Sequence, residues 1–105
     1  MNRLIGIFGG SFNPIHVGHL VLAEFIREEF KLDKIIFIPA GNPPHKNVCD
    51  LETGTHRYAM VKLAVENNPF FEVSDIELKR EGISYTCETL KEIKRIYQNE
   101  ELFFI

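Results

Sequence analysis

Residues 4–19 read Leu-Ile-Gly-Ile-Phe-Gly-Gly-Ser-Phe-Asn-Pro-Ile-His-Val-Gly-His, and this stretch decides the fold. Its first part, Leu4–Phe8, is an apolar run, which is the pattern of a parallel strand covered on both faces. Gly9, Gly10 and Pro14 break that pattern before a helical one begins. A turn of this kind predicts an α/β sheet, and the ligands of such sheets bind where the strands end.

The rest of the chain repeats this alternation of strand and helix. We predict further strands at Lys34–Ile38, Phe70–Val73 and Leu102–Ile105. Apolar spacing and capping residues predict helices over Val17–Phe30, from Thr53 or Thr55 to Asn67, and from Thr86 onward. The β-α-β-α-β-α-β order predicts a three-layer α/β fold, with a mostly parallel sheet flanked by helices and joined by right-handed crossovers.

Apolar spacing also predicts which helix faces point inward. On the first helix the inward residues are Leu22, Ile26 and Phe30. On the second helix they are Ala59, Met60, Leu63 and Ala64, and on the third Leu90, Ile93 and Ile96 or Tyr97. The segment Asp75–Lys79 alternates polar and apolar residues, which predicts an extended segment with one wet face.

Composition and charge narrow the function classes. The chain has 105 residues, 45% of them hydrophobic and 26% charged, which is typical of one small globular domain or part of a larger one. A net charge of -3 argues against a general nucleic-acid binder. The sequence lacks both an apolar run of the ~20 residues that a membrane span needs and a signal peptide at its start. We therefore expect a cytoplasmic protein without a membrane partner, in which Cys49 and Cys87 are reduced thiols.

The last residues of the chain are the most apolar of its predicted strands. Domains seldom end in such a strand, so we expect residues 1–105 to be the N-terminal portion of a longer domain. An exposed strand edge presents unpaired N–H and C=O groups. The edge at Leu102–Ile105 therefore suggests a homodimer or strand exchange as a hypothesis.

The residues Gly9–His19 combine several groups that suit a polyphosphate. Paired glycines let backbone N–H groups approach an anion, and a helix start adds a partial positive charge. His16 and His19 are three residues apart, so both can donate N–H bonds to one anion. Gly18 between them removes bulk beside that anion. Each feature alone is also typical of a plain structural turn, but their combination favours a nucleotide site.

Two other kinds of site compete for these residues. The loop contains neither the Lys-Ser/Thr pair of a P-loop nor the Gly-x-Gly-x-x-Gly of a dinucleotide fold. Zinc is a rival ligand for His16 and His19, but the spacing of the further candidates does not support a zinc site. Those candidates are His45, His56 and Cys49.

The stretch Gly9–Leu20 resembles the signature of the nucleotidyltransferase superfamily that carries a His-x-Gly-His motif. Further segments resemble the bacterial nicotinate mononucleotide adenylyltransferases within it, namely Ile38-Pro39, Pro43-Pro44-His45-Lys46, His56-Arg57 and Ser84–Leu90. The resemblance covers essentially the whole chain. One departure is Asn13, where many relatives carry Asp; the amide can still organise the turn.

This resemblance implies a Rossmann-like nucleotidyltransferase fold and a transfer of AMP from ATP to nicotinate mononucleotide, giving deamido-NAD and pyrophosphate in NAD biosynthesis. It implies that the ATP contacts come from Gly9, Gly10, Ser11, Phe12, His16, Gly18 and His19. His16 and His19 would also be the catalytic pair. The mononucleotide contacts would come from Ser11, Phe12, Lys46 and Thr86, with Phe12 between the two substrates. Mg²⁺ would accompany ATP without a protein metal site, and we expect Arg57 to be structural, paired with Asp75 or Glu77.

Family members continue beyond the position of Ile105 with a Gly-x-Asp loop, an aromatic segment that stacks on nicotinate, and a Ser-Ser/Thr-x-x-Arg motif. The first alternative is another adenylyl- or cytidylyltransferase of the superfamily, such as a phosphopantetheine adenylyltransferase. Because those segments are absent here, a second alternative is an inactive nucleotide-binding fragment. A zinc or redox protein is the third.

Overall fold

The computed structural model describes residues 3–41, 54–79 and 86–105, which form a parallel sheet with helices on both faces. In chain order the elements are β1 (Leu4–Gly10), α1 (Val17–Glu29), β2 (Lys34–Pro39), α2 (Gly54–Val65), β3 (Phe71–Val73), α3 (Thr86–Ile96) and β4 (Glu101–Phe104). The strand order is β3-β2-β1-β4, and every pair is parallel. The expected α/β fold is confirmed.

Alternate side chains of the central strands enter two separate cores. Ile5 and Ile7 of β1 pack with Ile93 of α3 on one face of the sheet. Phe8 of β1 packs with Ala23 of α1 and, on α2, with Val61 and Val65 on the other face. Because successive strand residues point to opposite faces, the apolar run needs cover on both sides. The result is the expected three-layer arrangement.

The end of α1 places β2 beside β1. Lys31 adopts a left-handed conformation (φ 55°), and the Leu32 N–H donates to the Arg27 carbonyl at 2.9 Å. This pattern closes the free carbonyls of the last helical turn and reverses the chain. It brings Leu32 into the core, and the Asp33 N–H then donates to the Leu4 carbonyl at 2.7 Å. The register of β2 on β1 follows from these contacts.

The inward face of α2 differs from the expected one. The buried residues are Arg57, Val61 and Val65, whereas Leu63 is 67% exposed. Of the other expected inward residues, Met60 is half-buried, and Ala59 and Ala64 are exposed. The guanidinium of Arg57 bonds to backbone at the ends of β1 and β2 and so orients the helix. Residues four and eight positions further on then meet the sheet.

The inward face of α1 is also narrower than expected. Ala23 is fully buried and Ile26 packs against the core, but Leu22 is 45% and Phe30 is 62% exposed. A small residue at Ala23 lets the helix lie close to the sheet, which turns the two larger side chains outward. The expectation for Leu22 and Phe30 was therefore wrong.

The expectation for the third helix holds for Ile93, which is buried, and for Tyr97, which packs against the same core. Ile96 is instead 61% exposed.

The segment Asp75–Lys79 is a turn and not the expected extended segment. The N–H groups of Leu78 and Lys79 both donate to the Asp75 carbonyl, at 2.9 and 3.2 Å. Its alternating pattern is explained by Ile76, which enters the core with Ile93 of α3 while its two neighbours are half-buried. A local turn satisfies these backbone groups without a strand partner.

The last strand, β4, pairs with β1 and forms one edge of the sheet within the described residues. Phe103 and Phe104 on it are 41% and 55% exposed. Homodimer formation or strand exchange at this edge stays a prediction. Among the helices of the described residues, none combines the length and apolarity that crossing a membrane requires.

Candidate functional site

The topology itself points to the carboxyl end of β1. This strand lies between β2 and β4, and the helices that lead to these two neighbours cover opposite faces of the sheet. The strand order reverses at this point, and a crevice for ligands opens at such a switch point. The loop at the end of β1 is Ser11–His16, between Gly10 and the start of α1.

Two histidines cap the start of α1, because each ring accepts a backbone N–H at this helix start. The Gly18 N–H donates to Nδ1 of His16 at 3.1 Å, and the His16 N–H donates to Nδ1 of His19 at 3.0 Å. This is the reciprocal geometry of a capping box, built here from imidazoles. The two rings stack with centroids 3.9 Å apart. The sequence predicted that both rings share one face at the helix start, and this is confirmed.

The caps also fix where each ring carries its proton. A backbone N–H is always a donor, so each Nδ1 that accepts from it is unprotonated. In the neutral ring the proton is then on Nε2, which remains as a donor for a ligand. Two imidazole N–H donors thus stand at the start of a helix, where the helix dipole places partial positive charge and the first turn contains no acidic residue. This arrangement favours an anion.

The neighbourhood of His19 keeps that ring neutral. Phe12 and Phe8 contact it edge-on, with centroids 5.1 and 6.0 Å away. Burial and, to a smaller degree, the nearby His16 lower the pKa of His19 from its usual 6.5. His19 is therefore a neutral hydrogen-bond donor near neutral pH.

We expect the protein to lose stability as the pH falls below about 6.5, because the unfolded chain then binds a proton at residue 19 that the folded chain resists. The stability that comes from the lowered pKa of His19 is therefore present above this pH, and it is lost as the pH falls through the pKa of the folded state. Urea unfolding at about pH 7.5 and about pH 5.5 measures the difference. His19→Gln is the matched control, since Gln at this position still completes a capping box. An equal pH dependence in both proteins would contradict the assignment.

The loop before the histidines has a constrained backbone. Phe12 has φ 47°, in the left-handed region, and the Asn13–Pro14 peptide bond is cis. The Phe12 ring is only 3% exposed and packs on Phe8 and Phe37, with centroids 5.4 and 5.8 Å away. The ring is therefore part of the core in this conformation. The predicted place of Phe12 between two substrates stays a prediction.

Gly18 is required by the neighbouring ring. A Cβ atom at Gly18 would lie 2.9 Å from Cε1 and Nδ1 of His16. The ring would have to move, and its hydrogen bond to the residue 18 N–H would be lost. From the sequence, we interpreted the absence of a side chain at Gly18 as space for a ligand. In the structure, the His16 ring also needs that space.

Gly18→Ala displaces His16, so we expect it to slow the reaction that the family resemblance implies by about tenfold while the fold is retained. Steady-state kinetics together with a melting curve check this result. Val21→Ala, an exposed position on the same helix, is the control. Turnover equal to that of the control would show that the position of His16 is unimportant.

Polar contacts of the buried Arg57 join the loop after β1 to the end of β2. Nη1 of Arg57 donates to the carbonyls of Ser11 and Ala40 at 2.9 and 2.7 Å. Nη2 donates to the carbonyl of Gly41 at 3.4 Å. Glu77 accepts from the Gly41 N–H at 3.1 Å and from the Thr89 hydroxyl at 2.9 Å. Sequence reasoning gave Arg57 only a structural ion pair. The available signal was its position four residues before Val61 on the buried face of α2.

The other predicted site residues divide into two groups. Gly9, Gly10 and Ser11 lie at the end of β1 and in the loop next to the histidines, as expected from their order. Lys46 and the side chain of Thr86 lie outside the described residues, and the backbone of Thr86 begins α3. Their roles stay predictions.

Metal ligands were the rival explanation for the histidine pair. Within residues 3–41, 54–79 and 86–105, no group of three or more His, Cys, Asp and Glu side chains is placed to hold a metal ion. His45 and Cys49, two of the candidates for completing a zinc site, lie outside these residues. Each Nδ1 is already used by a backbone donor.

The chain is similar to curated bacterial proteins named "Probable nicotinate-nucleotide adenylyltransferase". It is 59% identical over 102 residues to that of Thermoanaerobacter sp. (strain X514), covering 96% of this chain and 48% of the relative. It is 56% identical over 103 residues to that of Desulfitobacterium hafniense (strain DSM 10664 / DCB-2), covering 98% and 50%. The chain therefore spans about half the length of the curated relatives it matches.

Solved structures share the fold at lower identity. One is titled Plasmodium falciparum nicotinic acid mononucleotide adenylyltransferase complexed with NaAD, with a TM-score of 0.82 at 23% identity. It is matched over 98% of this chain and 51% of that one. The same enzyme complexed with APC gives a TM-score of 0.76, also at 23% identity, over 98% of this chain and 50% of that one.

A family model also matches nearly the whole chain. The model described as cytidylyltransferase-like matches residues 7–104, which include the end of β1, the capped loop and all three described helices. The chain belongs to the cytidylyltransferase-like family.

Proposed function

We propose that the protein containing this chain transfers AMP from ATP to nicotinate mononucleotide, producing deamido-NAD and pyrophosphate in NAD biosynthesis. The observation that carries the proposal is the cap of α1, in which two stacked imidazoles use Nδ1 for backbone N–H groups and keep Nε2 for a ligand beside a helix start. Relatives that are 50–59% identical and named for this activity support the choice of substrate.

This reaction requires that the protein positions the two substrates and neutralises their negative charge. A phosphate oxygen of the mononucleotide attacks the α-phosphorus of ATP in line, and the bond from that phosphorus to the bridging oxygen breaks as pyrophosphate leaves. The substrate supplies its own nucleophile, so no activated side chain is needed. Negative charge builds on the transferring phosphoryl group and on the leaving pyrophosphate. Fixed N–H donors stabilise that charge most when they need not reorganise.

In this proposal, Nε2–H of His16 and of His19 bind the phosphates of ATP and the transition state. The backbone N–H groups of Gly9 and Gly10 and the hydroxyl of Ser11 add donors at the end of β1. Gly18 leaves room for the His16 ring to adopt this position. Lys46 and Thr86 are proposed to contact the mononucleotide, as the family resemblance implies.

Mg²⁺ is proposed to enter with ATP. It prefers oxygen ligands and keeps several of its waters. Apart from the Ser11 hydroxyl, the donors at this site are N–H groups, which suit anions and not a hard cation. The phosphate oxygens of ATP and water would therefore hold the ion, which supplies charge neutralisation on those phosphates.

The test is turnover by the whole protein of nicotinate mononucleotide, nicotinamide mononucleotide and phosphopantetheine, each offered with ATP and with CTP. CTP is included because the matching family is described by cytidylyl transfer. We expect nicotinate mononucleotide with ATP to be the preferred pair, with pyrophosphate released in equal amount. Preference for another pair would overturn the substrate assignment, and absence of any turnover would overturn the enzymatic proposal.

The 105-residue chain alone is expected to bind ATP weakly. Isothermal titration of ATP and of the mononucleotide into this chain and into the whole protein separates binding from catalysis. The histidine cap lies within the chain, so part of the ATP affinity should remain. If the chain does not bind ATP while the whole protein does, the cap is not sufficient for nucleotide binding.

A further inference from the structure

We propose that Arg57 is a positioning residue of this site: its guanidinium holds the loop after β1 in the place from which that loop contacts the nucleotide. The effect of Arg57 on catalysis rests on the proposed function, whereas its effect on the loop does not. It assigns to a residue of α2, which sequence reasoning considered structural, a role that reaches the histidine pair through Ser11.

The geometry is that of a clamp between two loops. Arg57 is 3% exposed, and its guanidinium reaches carbonyls at the ends of two neighbouring strands. Ser11 follows β1, whereas Ala40 and Gly41 follow β2. A further bond, from the Ala40 N–H to the Gly10 carbonyl at 2.8 Å, joins the same two chain segments. The clamp therefore fixes where the loop after β1 begins.

Only a guanidinium suits this task. Parallel strands end with carbonyl groups that have no further strand to pair with, and burial without a partner would cost free energy. The planar guanidinium presents five N–H donors in a rigid fork, so it binds several carbonyls at once. A lysine in its place has a single, flexible ammonium group. Burial lowers the pKa of Arg57, but an arginine remains protonated near neutral pH.

The clamp is held in turn by the core and by an acidic neighbour. Val61 and Val65 anchor α2 on the sheet, four and eight residues after Arg57. On the other side, Glu77 accepts from the Gly41 N–H, next to the carbonyl that Arg57 binds. The position of Ser11 is thus set by α2 and the end of β2, and not by the loop alone.

A small displacement at Ser11 would be carried along the loop. The next residue is Phe12, whose ring contacts His19, and the loop ends at the cap formed by His16. Misplacing reactive groups by about 1 Å can cost a reaction up to about a hundredfold. Arg57 therefore acts on catalysis without touching the substrate.

The experiment compares Arg57→Lys and Arg57→Ala in the whole protein with Arg27→Lys and Arg27→Ala. Arg27 is the matched control because it is also mostly buried and makes an ion pair with Glu24, but it lies in the last turn of α1. Four readouts are taken: kcat, the KM for ATP, the melting temperature, and hydrogen exchange of the amides in the loop after β1. Arg57→Ala is measured with and without millimolar methylguanidinium.

We expect Arg57→Lys to lower kcat by about tenfold or more and to speed amide exchange in the loop, while Arg27→Lys changes neither. Methylguanidinium should restore activity to Arg57→Ala and leave Arg27→Ala unaffected, which a general loss of stability would not produce. If Arg57→Ala does not fold, Arg57→Lys decides. A kcat within about twofold of the wild type, or unchanged loop exchange, would overturn the proposal.

The failure of the proposed function has a different signature. If the wild-type protein turns over none of the nucleotide pairs, the enzymatic proposal falls. The exchange measurement then still decides the role of Arg57. Faster exchange of the loop in Arg57→Lys than in Arg27→Lys would support the clamp, and equal exchange would exclude it.

Discussion

His19→Ala is expected to lower turnover of the whole protein by about a hundredfold, the size typical of a lost transition-state donor. The ring is held neutral by burial, and its Nδ1 is occupied by the His16 N–H, so Nε2–H is the donor that the substitution removes. Alanine also removes the acceptor for that backbone group. The measurement is kcat under saturating substrates, alongside a melting curve for each variant.

A second substitution separates the donor from the cap. His19→Gln keeps an acceptor for the His16 N–H, because a Gln three residues after the N-cap completes a capping box. We expect its melting temperature to stay near that of the wild type while turnover still falls. His56→Ala, which removes a histidine on α2, is the control. If His19→Gln or His19→Ala turned over as fast as this control, the catalytic role of His19 would be refuted.

Phe12→Ala is expected to lower the free energy of unfolding by about 3–5 kcal/mol, the usual cost of removing a buried aromatic ring. Its ring is 3% exposed and lies against three other rings, those of Phe8, Phe37 and His19. Alanine would leave a cavity there and, like Phe, would still have to adopt a positive φ. Urea unfolding monitored by circular dichroism gives the value.

The control for this prediction is Phe30→Ala at the end of α1. Phe30 is 62% exposed, so its removal is expected to change the free energy of unfolding by less than about 1 kcal/mol. Because Phe12 supports the ring of His19, its loss should also lower activity at temperatures where the variant remains folded. A stability equal to that of Phe30→Ala would mean that the Phe12 ring is not part of the core in solution.

The fold was largely predictable because strand and helix patterns are local. The run around Ile5 and Ile7 predicts a doubly covered strand, and the structure buries it on both faces. The helix faces were less predictable. On α2 the apolar residues expected inside are mainly outside, since the buried face is set by the contact of Arg57 with two strand ends. That contact is long-range, and the four-residue spacing of Arg57 and Val61 does not by itself reveal it.

The candidate site was likewise predictable from the sequence only in its local features. The spacing of His16 and His19 predicts one shared face, because residues three apart on a helix are neighbours. The bonds of their rings to backbone N–H groups, and the proton positions that follow, depend on ring orientations that spacing does not specify. The burial of Phe12 also follows from packing against strands that precede and follow it in the chain.

By itself, the sequence determined the alternation of strands and helices, the loop after β1 and the pair of histidines at the start of α1. These features follow from side-chain type and from the short periods of strand and helix. Only the tertiary structure decided which face of α2 is buried, which ring supports His19, and that Arg57 joins the ends of β1 and β2. Such contacts join residues distant in sequence, and they form only where the packing of the whole sheet brings their partners together.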